Sequence, residues 1–212
     1  MGNWRRTLGL LMAAQTVTLA AVALIGTRAT RAVTVTLDGR DPVTLSHVDV
    51  GLAMVVVIAL LAVGWVLPPR PGGAVDPLLT TPVTVFVIAQ LNGVRDVGAL
   101  VGIYALASAG VLFAVVQHRD DRLRPPDGEG SRVPLGLGSA VGIVPWGIIA
   151  FHQVGAGVVG HPLPGIVVVT TLVALAGAIA EFVATWRHRP VAAAVLRAVG
   201  MSVVAWLVVV GL

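Results

Sequence analysis

The chain contains no lysine and no cysteine. Without a lysine amine, no side chain can condense with an aldehyde to form a Schiff base. Without a thiol there is no disulfide, no cysteine nucleophile and no thiolate metal site. Charge is scarce too, at 11% of 212 residues against a hydrophobic share of 57%. Soluble domains carry about a quarter of their residues as charged groups, and no soluble fold hides that much apolar surface. A Ser-His-Asp pattern, paired catalytic carboxylates, a phosphate loop and metal-ligand spacing are also missing. Nothing therefore marks the chain as an enzyme or assigns it a metal. All 14 basic residues are arginines, a usage that a GC-rich coding sequence explains. They fall in short segments between apolar runs, where membrane topology accounts for them and a nucleic acid partner is not needed.

What is present is a series of apolar runs long enough to cross a bilayer. They predict an all-α membrane protein, a single seven-helix domain over 1–212 with spans at about 8–26, 47–67, 75–92, 97–116, 133–154, 165–186 and 191–212. The first run is read as a retained helix rather than a signal peptide, because no small-residue cleavage site follows it. Asn92-Gly93-Val94-Arg95-Asp96 interrupts an apolar stretch too long for one helix. Pro68-Pro69-Arg70-Pro71-Gly72-Gly73 reads as a rigid connector. Gln117 to Arg132 reads as the longest polar loop, solvated or available to a docking partner. Segment 27–46 reads as a β-hairpin: Val33 to Leu37 alternates with period two, Asp38-Gly39 is a turn signal, and Val43 to Leu45 returns behind Pro42. A two-stranded ribbon is marginal alone, so it should lie on the helix ends or pair with a second copy.

Seven spans put the two ends of the chain on opposite faces. One face then holds Arg5, Arg6, Arg70, Arg119, Arg122, Arg124, Arg132, Arg187, Arg189 and Arg197. The other holds Arg28, Arg31, Arg40 and Arg95. The positive-inside rule predicts a plasma-membrane protein with a cytoplasmic N-terminus, an extracellular C-terminus and an extracellular hairpin. Trp4, Trp65 and Trp186 fall at the cytoplasmic boundary, where indole rings prefer to sit.

Several motifs, in order along the chain, resemble those of the heliorhodopsins, relatives of the microbial rhodopsins with inverted membrane orientation. Gly142-Ile143-Val144-Pro145-Trp146 resembles the family's fifth-helix motif, and Pro164-Gly165-Ile166-Val167 the start of its sixth helix. Asn92 to Asp96 followed by Ala99-Leu100 is similar to the turn between helices three and four. Leu11-Met12-Ala13-Ala14-Gln15 resembles a first-helix Leu-His-x-x-Gln. Met201-Ser202-Val203-Val204-Ala205-Trp206 resembles the last-helix Lys-Ser-x-x-Ala-Trp. The resemblance implies a rhodopsin-like bundle and a homodimer. It also places the retinal-bearing lysine on Met201, the first-helix histidine on Met12, a second-helix histidine near Trp65 and the counterion glutamate on Asp76. A thioether cannot form a Schiff base, so covalent retinal is excluded and no cofactor is expected. Val168 to Ala180 lacks the aromatic rings that the sixth helix of the family would set against retinal.

The expected vestige of the pocket is Met12, Gln15, Asp76, Pro145, Trp146, Ser202 and Trp206 around Met201. Pro145 should kink the fifth helix. Glu181 is the one carboxylate well inside a span, which makes it a transport candidate, although it lies within reach of the interface and of an arginine partner such as Arg187. Asp49 reads as helix-end chemistry. His47, His152, Gln153 and His161 share one face without metal-ligand spacing. Gln15, Gln90 and Asn92 read as interhelical hydrogen bonds, and Gly98-x-x-x-Gly102 and Gly138-x-x-x-Gly142 as sites of close helix approach. The expected function is that of a retinal-free sensory, regulatory or scaffold protein. Its partners would be the lipid bilayer, a second copy of itself and a regulatory protein. The alternatives are a small transporter using Glu181 and a receptor for an apolar ligand held without a covalent bond.

Overall fold

A computed structural model describes residues 4–26, 28–38, 40–66, 75–123 and 130–211, apart from the side chains of Trp4, Val75 and Asp76. The proposed Pro68–Gly73 connector, the proline-rich part of the polar loop at 124–129, Gly39 of the hairpin turn and the Asp76 side chain lie outside these residues. The described residues form seven helices and a two-stranded antiparallel sheet. They are α1 (Trp4–Ile25), β1 (Thr30–Val35), β2 (Val43–Asp49), α2 (Val50–Val66), α3 (Val75–Leu91), α4 (Val97–Leu123), α5 (Val133–Val158), α6 (Gly165–Trp186) and α7 (Pro190–Gly211). Five of the helices are long and apolar enough to cross a membrane, and α2 and the Pro77–Leu91 part of α3 are shorter apolar helices. The protein is a multi-pass membrane protein.

Consecutive helices pack side by side, and α7 closes the ring against α1 and α2. α5 touches α6 only slightly. α2 is apolar all round; it buries Val50, Met54, Val57, Ile58, Leu61 and Trp65 and leaves Val56, Val63 and Val66 exposed. With the buried faces of α3 and α7 it forms the core. α1, α4, α5 and α6 leave many large apolar side chains uncovered, among them Val17, Val101, Phe151 and Leu172, as lipid-facing residues should be.

The sheet differs from the expected hairpin in its extent. β1 begins at Thr30, three residues before the alternating stretch, and β2 runs on to Asp49, so α2 starts at Val50 rather than His47. Asp49 ends the strand and caps the helix, its carboxylate accepting the Leu52 N–H at 3.0 Å. A bulge at Leu45 shifts the register between Val33↔Ser46 and Thr34↔Thr44. The ribbon does lie on helix ends: the Thr34 N–H donates to the Arg95 carbonyl at 2.8 Å, and Thr34 bridges Asp96 in the α3–α4 turn. β1 is thus paired on both edges.

α4 also runs further than its apolar stretch, through Gln117 to Leu123. Gln117 is 4% exposed and belongs to the bundle, not to a loop. Its amide donates to Asp121 one turn on and to the Ser131 carbonyl, so the polar side chains hold the final turns against the start of α5. α5 likewise continues past Val154 to Val158. Three helices end alike, on a residue of positive φ whose own N–H and the next one bond back to the last turn. That residue is Gly93 after α3, Gly160 after α5 and His188 after α6.

α4 and α5 cross where both lack side chains. A Cβ on Gly138 would lie 2.8 Å from Phe113 Cβ and 3.0 Å from the Gly110 carbonyl oxygen, whereas one on Gly142, Gly102 or Gly136 would meet nothing. Gly138 is therefore the member of the two small-residue motifs that the packing requires. Gly138→Ala should destabilise the protein by about 1–3 kcal/mol, the usual cost of overpacking, while Gly142→Ala should be neutral. Thermal unfolding of the two variants in one detergent separates them, and equal effects would contradict the assigned crossing.

Candidate functional site

Met201 is 9% exposed, on the inner side of α7. On one side of it α7 meets α1, where the Ser202 hydroxyl lies 3.0 Å from Gln15 Oε1 and 3.5 Å from Met12 Sδ. The hydroxyl's single proton goes to one acceptor at a time, and the amide oxygen is the stronger. On the other side lies a cavity of about 60 Å³ shared by α3, α5, α6 and α7. Its walls include Thr81, Thr84, Trp146, Gly177, Glu181 and Arg197 as well as Met201. At ~30 Å³ per water, it has room for roughly two.

Glu181 does not pair with Arg187. It accepts two hydrogen bonds from the Arg197 guanidinium, the Nε one at 2.8 Å and a shorter one from Nη2. The reason is the tight turn at 187–189. Residues equally far from such a turn stand level on antiparallel helices, and 189 is midway between 181 and 197. Both side chains are about one-fifth exposed, 22% for Glu181 and 20% for Arg197. The pair takes the single carboxylate inside α6 and the single charge inside α7 and neutralises each with the other. The symmetry of the two positions about the turn is the sequence signal by which Arg197, rather than Arg187, could have been found.

Thr81 and Thr84 went unnoticed in the sequence, as did Pro82, which sits buried inside α3. Pro82 removes one helical N–H. Thr84 Oγ1 donates to the Thr80 carbonyl at 2.8 Å, a bond within its own turn that satisfies the buried hydroxyl. The run Thr80-Thr81-Pro82 with Thr84 was the available signal. Pro145 is buried in α5 next to the cavity-lining Trp146. Trp206 packs partly buried against the core. The second-helix position near Trp65 holds an indole under the Arg5 guanidinium, 5.4 Å from the ring centre.

Of the expected interhelical amides, Asn92 bonds across to Thr171 Oγ1 on α6 at 2.7 Å. The Gln90 amide, 1% exposed, finds no partner among the described residues. His47, His152 and His161 are exposed. Among the described residues, no three His, Cys, Asp or Glu side chains cluster as a metal site would require.

The ion pair has a measurable consequence. Removing one partner leaves a poorly solvated charge, which costs about 3–5 kcal/mol at a fully buried site and less at this partly open one. Arg197→Met and Glu181→Gln should each lower the unfolding temperature clearly. The double variant Glu181→Leu, Arg197→Met should recover most of the loss. A double variant as unstable as the sum of the two singles would show that the groups act independently.

No curated protein matches the chain. A sequence profile of the heliorhodopsin family matches residues 76–212, well over half of the chain. The match spans α3 to α7 and so takes in Trp146, Glu181, Arg197, Met201 and Ser202, while Met12, Gln15 and the hairpin precede it. The seven-helix bundle with its two-stranded sheet and the matched profile agree: the chain belongs to the heliorhodopsin family.

Proposed function

We propose that this heliorhodopsin-family protein works without covalently bound retinal, as a sensory, regulatory or scaffold component that acts through protein contacts in the membrane. The observation that carries this reading is the space beside Met201. Small-molecule sites measure roughly 300–1,000 Å³, and the cavity here is about 60 Å³. Its α6 wall consists of Ala174, Gly177, Ala178 and Glu181, with no aromatic ring. The small residues let the helices close in: a Cβ on Gly177 would lie 3.7 Å from the Gly200 Cα. Met201 supplies no amine to bond an aldehyde.

The same features weigh against the two alternatives. A receptor for an apolar ligand needs a larger chamber. A transporter using Glu181 needs a carboxylate free to change partner, and this one is held by Arg197. In the orientation proposed here the arginine-rich face is cytoplasmic, the hairpin is extracellular and the protein resides in the plasma membrane. The homodimer belongs to the same proposal. β1 is paired on both edges, whereas β2 has ladder contacts on one edge only among the described residues. It also exposes Val43 and Leu45 at 56% and 57%, and an open edge of this kind favours pairing with a second copy.

Two experiments test the reading. The purified protein mixed with all-trans-retinal should give no red-shifted visible band. Met201→Lys should stay colourless as well, because the amine alone does not reopen the space. A band from either protein would overturn the proposal. The absence of native cysteine makes single-cysteine variants clean reporters of the dimer. Leu45→Cys should cross-link two copies under mild oxidation and Val56→Cys, on the exposed side of α2, should not. A Leu45→Cys protein that stays monomeric throughout would rule out pairing through the hairpin.

A further inference from the structure

We propose that the arginine-rich ends of α4, α5 and α6 bind the phosphate headgroup of an anionic glycerophospholipid, with one acyl chain lying in the seam between α5 and α6. A cavity of about 250 Å³ opens there, lined in part by Gln117, His118, Arg122, Arg132, Trp186 and His188. Leu135, Ala114 and Pro190 give it an apolar side. The Arg132 guanidinium lies over the Trp186 ring, 4.9 Å from its centre, and its Nη2 is 3.0 Å from His188 Nε2. Asp121 is the one acid in the lining. It accepts from the Gln117 amide at 3.0 Å and sits 4.0 Å from His188 Nδ1, so groups of the pocket itself meet part of its charge.

Three features point to a ligand rather than to packing alone. His188 occupies a helix-terminal position with φ of 54°, where glycine is the usual residue. A side chain kept there at a conformational cost is often kept for its contacts. Basic pockets between helix ends at a membrane face suit phosphate headgroups, and Trp186 supplies the ring that prefers the boundary. The seam then gives the pocket direction. Thr185 on α6 and Leu135 on α5 line the upper cavity. Glu181, Ala178 and Ala174 follow Thr185 at helical spacing, Trp146 follows Leu135 after three turns, and all four line the lower cavity. The two cavities therefore lie on the same faces of α5 and α6, the consecutive helices that pack least against each other. Ala178 on this line is exposed, so a chain of methylenes would lie along the seam from the bilayer side rather than inside the small cavity, a contact that neither an inorganic anion nor a soluble peptide would make.

Native mass spectrometry of the full chain in detergent tests this with phosphatidylglycerol and phosphatidylcholine of equal chain length. One phosphatidylglycerol should be retained in preference to phosphatidylcholine. Arg122→Gln removes an exposed side chain, so its folding is not at risk. It should weaken binding about five-fold, the equivalent of ~1 kcal/mol per basic residue at a membrane surface, and so should Arg132→Gln. Arg119→Gln, on the same face outside the cavity, should leave affinity unchanged. Ala178→Leu should weaken retention of the long-chain lipid while the headgroup residues stay intact. Equal retention of the two lipids, an equal effect of Arg119→Gln, indifference to Ala178→Leu, or complete displacement by millimolar inorganic phosphate would each overturn the proposal.

Discussion

Hydrocarbon gives apolar helices no hydrophobic reason to leave lipid for one another, so packing and polar cross-links must hold this bundle together. The packing term is visible where side chains are missing. α4 meets α5 at Gly110 and Gly138, α6 meets α7 at Gly177 and Gly200, and α1 meets α2 at Gly9, where a Cβ would strike Val66 at 2.7 Å. The polar term is a cross-link at each of three seams: Ser202 with Gln15 between α7 and α1, Asn92 with Thr171 between α3 and α6, and Arg197 with Glu181 between α7 and α6. Each joins helices distant in sequence or closes a helical hairpin. Among consecutive helices α5 and α6 pack least, and polar contacts between them lie at one end, where Arg132 meets Trp186 and His188.

The same scarcity of water governs the helix ends. Backbone groups there must find partners close by. The chain answers with three positive-φ closures, two on glycine and one on His188, and with Asp49 and Asp96 capping α2 and α4 from outside. Asp96 has a second role, because its turn also receives β1. The sheet is marginal alone but becomes part of the fold by docking on a helix end already fixed by its cap.

Apolar runs are legible in a sequence because hydropathy responds directly to lipid. All seven helices, the hairpin and the Asn92–Asp96 turn could be read in that way. The boundaries were less legible where hydropathy was not the deciding force. α4 outlasts its apolar stretch because Gln117 satisfies backbone and side-chain groups at once. α2 starts late because β2 uses the residues before it. At the candidate site the sequence pointed to Met201, Trp146 and Glu181, which do share one cavity. It did not point to Thr81 and Thr84, because a threonine in an apolar helix usually satisfies itself on its own turn. Nor did it supply the cavity's size, which follows from how far Gly177 and Gly200 allow α6 and α7 to approach.

The ion pair also bears on what the loss of lysine changed. Arg197 stands one helical turn before Met201 on α7, so a positive charge remains inside the helix close to where the family's lysine would be. A protonated Schiff base can give up its proton and lose its charge. A guanidinium keeps its proton under physiological conditions, and here it is tied to Glu181 by two hydrogen bonds. The interior therefore holds a cation with an acidic partner in a form that proton transfer does not readily switch. On the proposed reading, contacts with other molecules form at the surfaces: the β2 edge, unpaired among the described residues, on one face, and on the other the basic pocket with the loose α5–α6 seam beneath it.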